Sequence, residues 1–91
     1  MQQKNEKTLH LAAELGSLIK ELRETKSSYS LDSFANSYGL SKGTLSLLEN
    51  GKTNCKFVTI WTISEAIGMK CSDLIKILED KLGDDFKLID D

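Results

Sequence analysis

Apolar residues recur every three or four positions along most of this chain, which is the spacing of one face of an α-helix. The first run predicts a helix from about Thr8 to about Thr25. Its inward positions are Leu11, Leu15, Leu18, Ile19 and Leu22. Gly16 lies in the middle of this helix, where glycine costs about 1 kcal/mol relative to alanine. We therefore expect another helix to approach the first one closely at Gly16.

Two shorter helices follow, separated by the turn Gly39-Leu40-Ser41. Ser30 and Ser41 are favoured N-cap residues and mark where each helix begins. The core candidates of the first are Leu31, Phe34, Ala35 and Tyr38. The second covers about residues 41–50, and Gly51 can take the positive φ that often ends a helix. The pair is either a DNA-binding helix-turn-helix or an ordinary helical hairpin.

The rest of the chain predicts two more helices. The fourth covers about residues 58–67, and its inward positions are Ile60, Ile63 and Ile67. Its β-branched residues would also suit a strand, but their spacing and the following Gly68 favour a helix. Ser72 is the expected cap of a fifth helix over about residues 73–82. The apolar positions of the fifth helix are Leu74, Ile75, Leu78 and Leu82.

The composition fits one small domain, because 91 residues with 40% hydrophobic content can bury a single core. The absence of proline suits a chain that is mostly helical. We predict an all-α, five-helix domain over residues 8–82, a flexible N-terminal segment over 1–7 and an acidic C-terminal tail over 83–91. No apolar run approaches the roughly 18 residues that span a bilayer, and the polar start is unlike a signal peptide. We expect a cytoplasmic protein without membrane contact.

Charge and reactive side chains narrow the function classes. The net charge is −2, with −4 in residues 73–91 and +2 in the remainder. DNA binding stays open, since a groove-binding face needs local positive charge rather than a basic average. Cys55, Cys71 and His10 cannot make the usual four-ligand zinc site. Because the chain also lacks a glycine-rich phosphate loop and a Cys–His pair at useful spacing, we expect no metal, no cofactor and no enzyme activity.

An ordered series of short segments carries a family resemblance. The segments are Leu15-Gly16, Ile19-Lys20, Leu22-Arg23, Phe34-Ala35, Tyr38-Gly39-Leu40-Ser41, Leu45-Ser46, Leu48-Glu49-Asn50-Gly51-Lys52 and Ala66-Ile67-Gly68. Over about residues 13–78 the chain resembles the Xre family, the helix-turn-helix domains of lambdoid phage repressors and Cro proteins. It is also similar to small stand-alone regulators such as restriction-modification controller proteins. The resemblance implies a lambda-repressor-like fold and a homodimer that reads double-stranded DNA with its third helix.

The resemblance also implies roles for single residues. Those at positions facing DNA bases are Ser41, Lys42, Gly43, Thr44, Ser46 and Leu47. Those at positions of the phosphate clamps are Ser30, Leu31, Asn50, Lys52 and Asn54. Arg23 and Glu49 match a buried ion pair that some relatives form between the first and third helices. For the homodimer we favour an interface through the fifth helix and its surroundings, with contacts from Trp61, Ile75 and Leu78; these side chains could instead cover the core.

Departures from the family pattern keep a second function open. Leu31 stands where relatives usually carry a glutamine that reaches a phosphate, and leucine cannot make that hydrogen bond. A bidentate contact to a base is worth about 1–3 kcal/mol, and Lys42 is the only strong candidate for one. The leading hypothesis is a sequence-specific transcriptional regulator. The alternative is a protein-interaction module, such as an antitoxin-like partner, with weak or no DNA readout.

Overall fold

Five α-helices run through residues 6–89, the part of the chain that the computed structural model describes. They are α1 (Glu6–Lys26), α2 (Leu31–Ser37), α3 (Lys42–Glu49), α4 (Phe57–Ala66) and α5 (Cys71–Leu82). Residues 6–89 contain no strand, so the predicted all-α fold is confirmed and the β-branched segment is helical. The segment predicted to be flexible covers residues 1–7. Its first five residues lie outside the described residues, and Glu6 and Lys7 belong to α1.

The core collects the apolar faces of all five helices. Its fully buried side chains include Ile19, Phe34, Ile63 and Leu74, each with 0% of its surface exposed. Tyr38 was predicted to lie in the core and this is wrong, because it follows the last turn of α2 and stays 37% exposed. Its ring contacts the buried Phe34 from outside, with 5.0 Å between ring centroids.

The predicted close approach at Gly16 is present, and the partner is α3. A Cβ on Gly16 would collide with the carbonyl oxygen of Leu48 and lie 3.0 Å from that of Glu49. A second glycine makes a similar contact, since a Cβ on Gly51 would lie 2.8 Å from the Cα of Ala13. Gly51 also has a φ of +71°, which favours glycine. Glycine therefore lets the end of α3 rest directly on α1.

Serine caps begin α2 and α3 as predicted. The Ser30 hydroxyl accepts from the Ser33 N–H, and the Ser41 hydroxyl accepts from the Thr44 N–H. The predicted Ser72 cap is wrong, because α5 begins earlier and its N-cap is Lys70. The Lys70 carbonyl already accepts from the N–H groups of residues 73 and 74, at 3.0 and 3.2 Å. Ser72 consequently lies inside the first turn of α5.

The acidic tail folds back onto α1 instead of extending into solvent over its whole length. Phe86 is half-buried, and its ring centroid lies 5.9 Å from that of His10. Beyond it, Leu88 and Ile89 are exposed. None of the helices within residues 6–89 has the length and apolar character needed to cross a membrane.

Candidate nucleic-acid interface

The turn between α2 and α3 is held by its own backbone. The Leu40 N–H donates to the Ala35 carbonyl at 2.8 Å, and the Leu45 N–H donates to the Ser41 carbonyl at 2.9 Å. Leu45 and Leu48 then point into the core, each 1% exposed. Because these two leucines fix the inner face of α3, its opposite face is presented to solvent.

We call the solvent-accessible positions of α3 and its N-cap the outer face of α3. It comprises the six residues predicted to face DNA bases: Ser41, Lys42, Gly43, Thr44, Ser46 and Leu47. All are exposed except Ser46, which is half-buried. Leu47 is 49% exposed although it is a large apolar residue. A Cβ on Gly43 would meet only the Ser41 hydroxyl, at 3.9 Å, so the space around Gly43 is open. The structure therefore brings the predicted base-facing set together on one accessible surface.

Arg23 and Glu49 form the ion pair that the resemblance implied. Arg23 Nε and Nη2 donate to the two carboxylate oxygens of Glu49, at 2.7 and 3.0 Å. Nη1 donates to the Tyr29 carbonyl at 3.2 Å. The side chains of the pair are only 8% and 3% exposed. The hydrogen bond to Glu49 raises the pKa of Arg23 despite the opposing effect of burial. One guanidinium thus joins α1, the segment before α2 and the end of α3.

A second ion pair spans the turn at the exposed side. Lys42 Nζ lies 3.1 Å from Asp32 Oδ1, and about two thirds of each side chain is exposed, 66% and 63%. Asp32 stands in the first turn of α2, and Lys42 is the first residue of α3. Asp32 was not among the residues predicted for this surface. It could have been predicted from its charge, which is opposite to that of Lys42, because the turn brings the starts of the two helices together.

The residues predicted to bind phosphates lie at both ends of the helix-turn-helix. Ser30 is exposed at the start of α2, whereas Leu31 is half-buried and packs against the core, so its side chain is not available to a phosphate. After α3, Lys52 and Asn54 are exposed. The exposed Asn50 side-chain amide donates one N–H to the Ser46 carbonyl at 2.8 Å, which caps α3 and leaves its second N–H for a phosphate.

A cleft of about 410 Å³ separates the turn from the loop between α3 and α4. Ser41 and Thr44 line one wall, and Asn54 and Lys56 line another. The loop therefore lies beside the start of α3, across this cleft. Cys55 in this loop is half-buried, and burial raises the pKa of its thiol to about 11. The thiolate form, which is the nucleophile, is therefore rare at neutral pH.

A separate apolar surface lies on α4. We call Phe57, Val58 and Trp61 the α4 patch; they are 66%, 74% and 51% exposed. The Phe57 and Trp61 rings meet edge to face, with centroids 5.9 Å apart. The Trp61 indole N–H donates to Glu65 at 2.9 Å. Of the other predicted dimer contacts, Ile75 is half-buried against the core.

The prediction that Leu78 contacts a second copy is wrong, because its side chain does not lie on the surface. It is 6% exposed and belongs to the core, because α5 turns this position toward the other helices. Phe57 and Val58 were not predicted to be exposed. Their helical positions relative to the inward-facing Ile60 and Ile63 could have indicated it.

Comparison with known proteins identifies the family. The helix-turn-helix family model matches residues 19–74. Control protein C.MunI from Mycoplasma sp is 36% identical over 64 residues, which cover 70% of this chain and 86% of that protein. The chain belongs to the Xre-type helix-turn-helix family. The match runs from within α1 into α5, so it includes the Arg23–Glu49 pair and the core leucines Leu45 and Leu48 that position α3.

Solved structures share the fold of this Xre-type protein. Two crystal structures of the clp gene regulator ClgR from Corynebacterium glutamicum superpose with TM-scores of 0.71 and 0.69, at 24% and 23% identity. The first match covers 79% of this chain and 76% of ClgR, and the second covers 80% and 92%. The chain carries a helix-turn-helix DNA-binding domain, as the resemblance implied, and the proteins it is similar to are a control protein and a gene regulator. Within residues 6–89, no three His, Cys, Asp or Glu side chains are grouped as a metal site.

Proposed function

We propose that the protein is a cytoplasmic, sequence-specific regulator that inserts α3 into the major groove of double-stranded DNA and binds as a homodimer. One observation carries the proposal. The inner face of α3 is fixed by core leucines and by the buried Arg23–Glu49 pair, while its outer face is exposed. A helix held rigidly by one face and open along the other is suited to fit the major groove.

Base contacts would come from few side chains. Lys42 is the strong donor and suits the O6 and N7 acceptors of guanine. Leu47 suits the methyl group of thymine, and Gly43 allows the backbone to approach the bases closely. Because these contacts are sparse, sequence-dependent DNA shape contributes to the choice of site.

Phosphate contacts would flank the outer face of α3. Ser30 and the backbone N–H groups of Leu31 and Asp32 stand at one end of the helix-turn-helix, and Lys52 and Asn54 stand at the other. Contacts of this kind set the register of a protein on the duplex without reading its sequence. Asn50 stands at the same end as Lys52, and the second N–H of its side-chain amide would donate to a phosphate while the first caps α3.

The homodimer would form through the α4 patch. Exposed large apolar side chains gathered on one helix are typical of an interaction surface, and aromatic residues are enriched at such surfaces. In a two-fold dimer each patch meets its own copy. Two copies of α3 would then reach half-sites about one DNA turn, or roughly 34 Å, apart.

Selection from a random-sequence duplex pool, followed by gel shift at low salt, tests DNA binding. We expect one enriched sequence with two-fold symmetry. Lys42→Ala should weaken binding to that sequence by about 10-fold or more. Lys76→Ala is the matched control, because Lys76 also lies 3.1 Å from an aspartate on an exposed surface. Absence of any shift at micromolar protein, together with co-purification of another protein, would favour the interaction-module alternative.

The dimer is tested separately by measuring molar mass across a range of protein concentrations. Trp61→Ala should shift the equilibrium from dimer toward monomer, since it removes the largest side chain of the α4 patch. Ile89→Ala is the control, because Ile89 is an exposed apolar residue outside the patch. A wild-type protein that stays monomeric at every concentration, with and without the selected duplex, would refute the dimer.

A further inference from the structure

Asp32 lies between the two kinds of DNA contact proposed above. Its carboxylate is 3.1 Å from the Lys42 ammonium, and its own N–H stands in the first turn of α2 beside Ser30. A carboxylate at this place repels a phosphate and attracts the one lysine of the outer face. The fold does not depend on this ion pair, because an exposed pair adds little to stability.

We propose that Asp32 is a specificity-determining positioning residue, which aims Lys42 at a guanine edge and keeps it away from phosphates. The inference rests on the proposed function of α3. A lysine ammonium carries three N–H donors. When one donates to Asp32, the other two are left for guanine O6 and N7, so a cognate contact keeps the ion pair intact. A phosphate contact instead brings a second negative charge next to the Asp32 carboxylate, and the repulsion between the two disfavours it.

The affinities for the two duplex classes should therefore change differently when Asp32 loses its charge. On a random duplex, the freed lysine gains a phosphate contact, and one further contact steepens the slope of log affinity against log salt by up to about 0.9. The affinity gain should be about twofold to fivefold, the range of one exposed ion pair. On the selected duplex, Lys42 loses its orientation, so affinity stays level or falls.

The experiment measures binding of Asp32→Asn by fluorescence anisotropy to the selected duplex and to a random duplex, at several salt concentrations. Asp80→Asn is the matched control. Asp80 lies 3.1 Å from Lys76 and is 65% exposed, so the charge change, the pair distance and the exposure match those of Asp32. Thermal unfolding of both variants shows whether the fold is kept. Asp32→Glu should restore most of the specificity ratio, because it restores the carboxylate.

We expect the ratio of selected to random affinity to fall at least twofold in Asp32→Asn and to stay at the wild-type value in Asp80→Asn. In a Lys42→Met background the Asp32→Asn gain on random DNA should shrink to the part that comes from the lost phosphate repulsion. Equal changes on both duplexes, or a full gain without Lys42, would overturn the inference. If the wild-type protein binds neither duplex, the proposed function fails instead, which is a distinguishable result.

Discussion

Replacing Glu49 by alanine is the sharpest test of how α3 is held. The substitution leaves the Arg23 guanidinium buried, with the Tyr29 carbonyl as its remaining acceptor among the described residues. Removing one partner of a buried, hydrogen-bonded ion pair typically costs about 3–5 kcal/mol. A small domain has only about 5–15 kcal/mol of stability in total. We therefore expect Glu49→Ala to lose a large part of the free energy of unfolding.

Urea denaturation at pH 7 measures the effect, and a double variant isolates its cause. Arg23→Met with Glu49→Leu removes both charges and fills the space with apolar atoms, so it should recover at least half of the loss. Asp80→Ala removes the exposed Lys76–Asp80 pair and should cost less than about 1 kcal/mol. If Glu49→Ala changes the free energy of unfolding by less than that exposed control, the reasoning is refuted.

The same pair has a defined pH dependence. The pKa of Arg23 is raised in the folded state, so the folded state holds this proton more tightly than the unfolded state does. The stabilisation is fully present below the unfolded pKa and is lost only as the pH rises through the higher folded value. Over the neutral range Arg23 should therefore add no pH dependence to the stability, which urea titrations at several pH values can check.

Two further predictions concern glycine and cysteine. Gly16→Ala should destabilise the protein by about 1–3 kcal/mol, because its Cβ would strike the backbone of α3, whereas Gly43→Ala stands in open space and should leave the urea midpoint level or raised. A Gly16→Ala midpoint equal to that of Gly43→Ala would contradict the close packing. Iodoacetamide should modify Cys55 at pH 8 roughly 100-fold more slowly in the folded protein than in urea, because burial raises its pKa from 9.0 to about 11. Peptide mass spectrometry measures the two modification rates, and equal rates would refute the prediction. Above pH 9 the raised pKa of Cys55 should lower the free energy of unfolding, because the unfolded state loses this proton first.

Local signals account for what the sequence predicted well. Ser30 and Ser41 act on N–H groups only three residues away, so their roles follow from short segments. Gly16 was informative because an unfavourable residue within a helix needs a packing reason. The Arg23–Glu49 pair joins residues 26 positions apart and came from the family resemblance, since no periodicity indicates it.

The errors share a different cause. Tyr38 and Ser72 sit at helix ends, where a shift of one or two residues changes a side chain's surroundings completely. Leu78 was predicted to lie at an interface because α5 has several apolar positions. Their spacing alone does not show which of them face the core and which face a partner. The Asp32–Lys42 pair depends on how the turn folds two helices together, which only the three-dimensional structure shows.

The open space around Gly43 bears on how new DNA specificities can arise in this protein. Its φ is not positive, and a side chain there would meet only a hydroxyl at 3.9 Å. A longer polar residue such as glutamine could therefore be added at this position without disturbing the core, and with a gain in helix propensity. Because a Cβ at position 43 would meet only the Ser41 hydroxyl, we expect substitutions there to leave the core contacts of Leu45 and Leu48 intact. The protein can thus change its binding site through single mutations while its stability stays nearly constant.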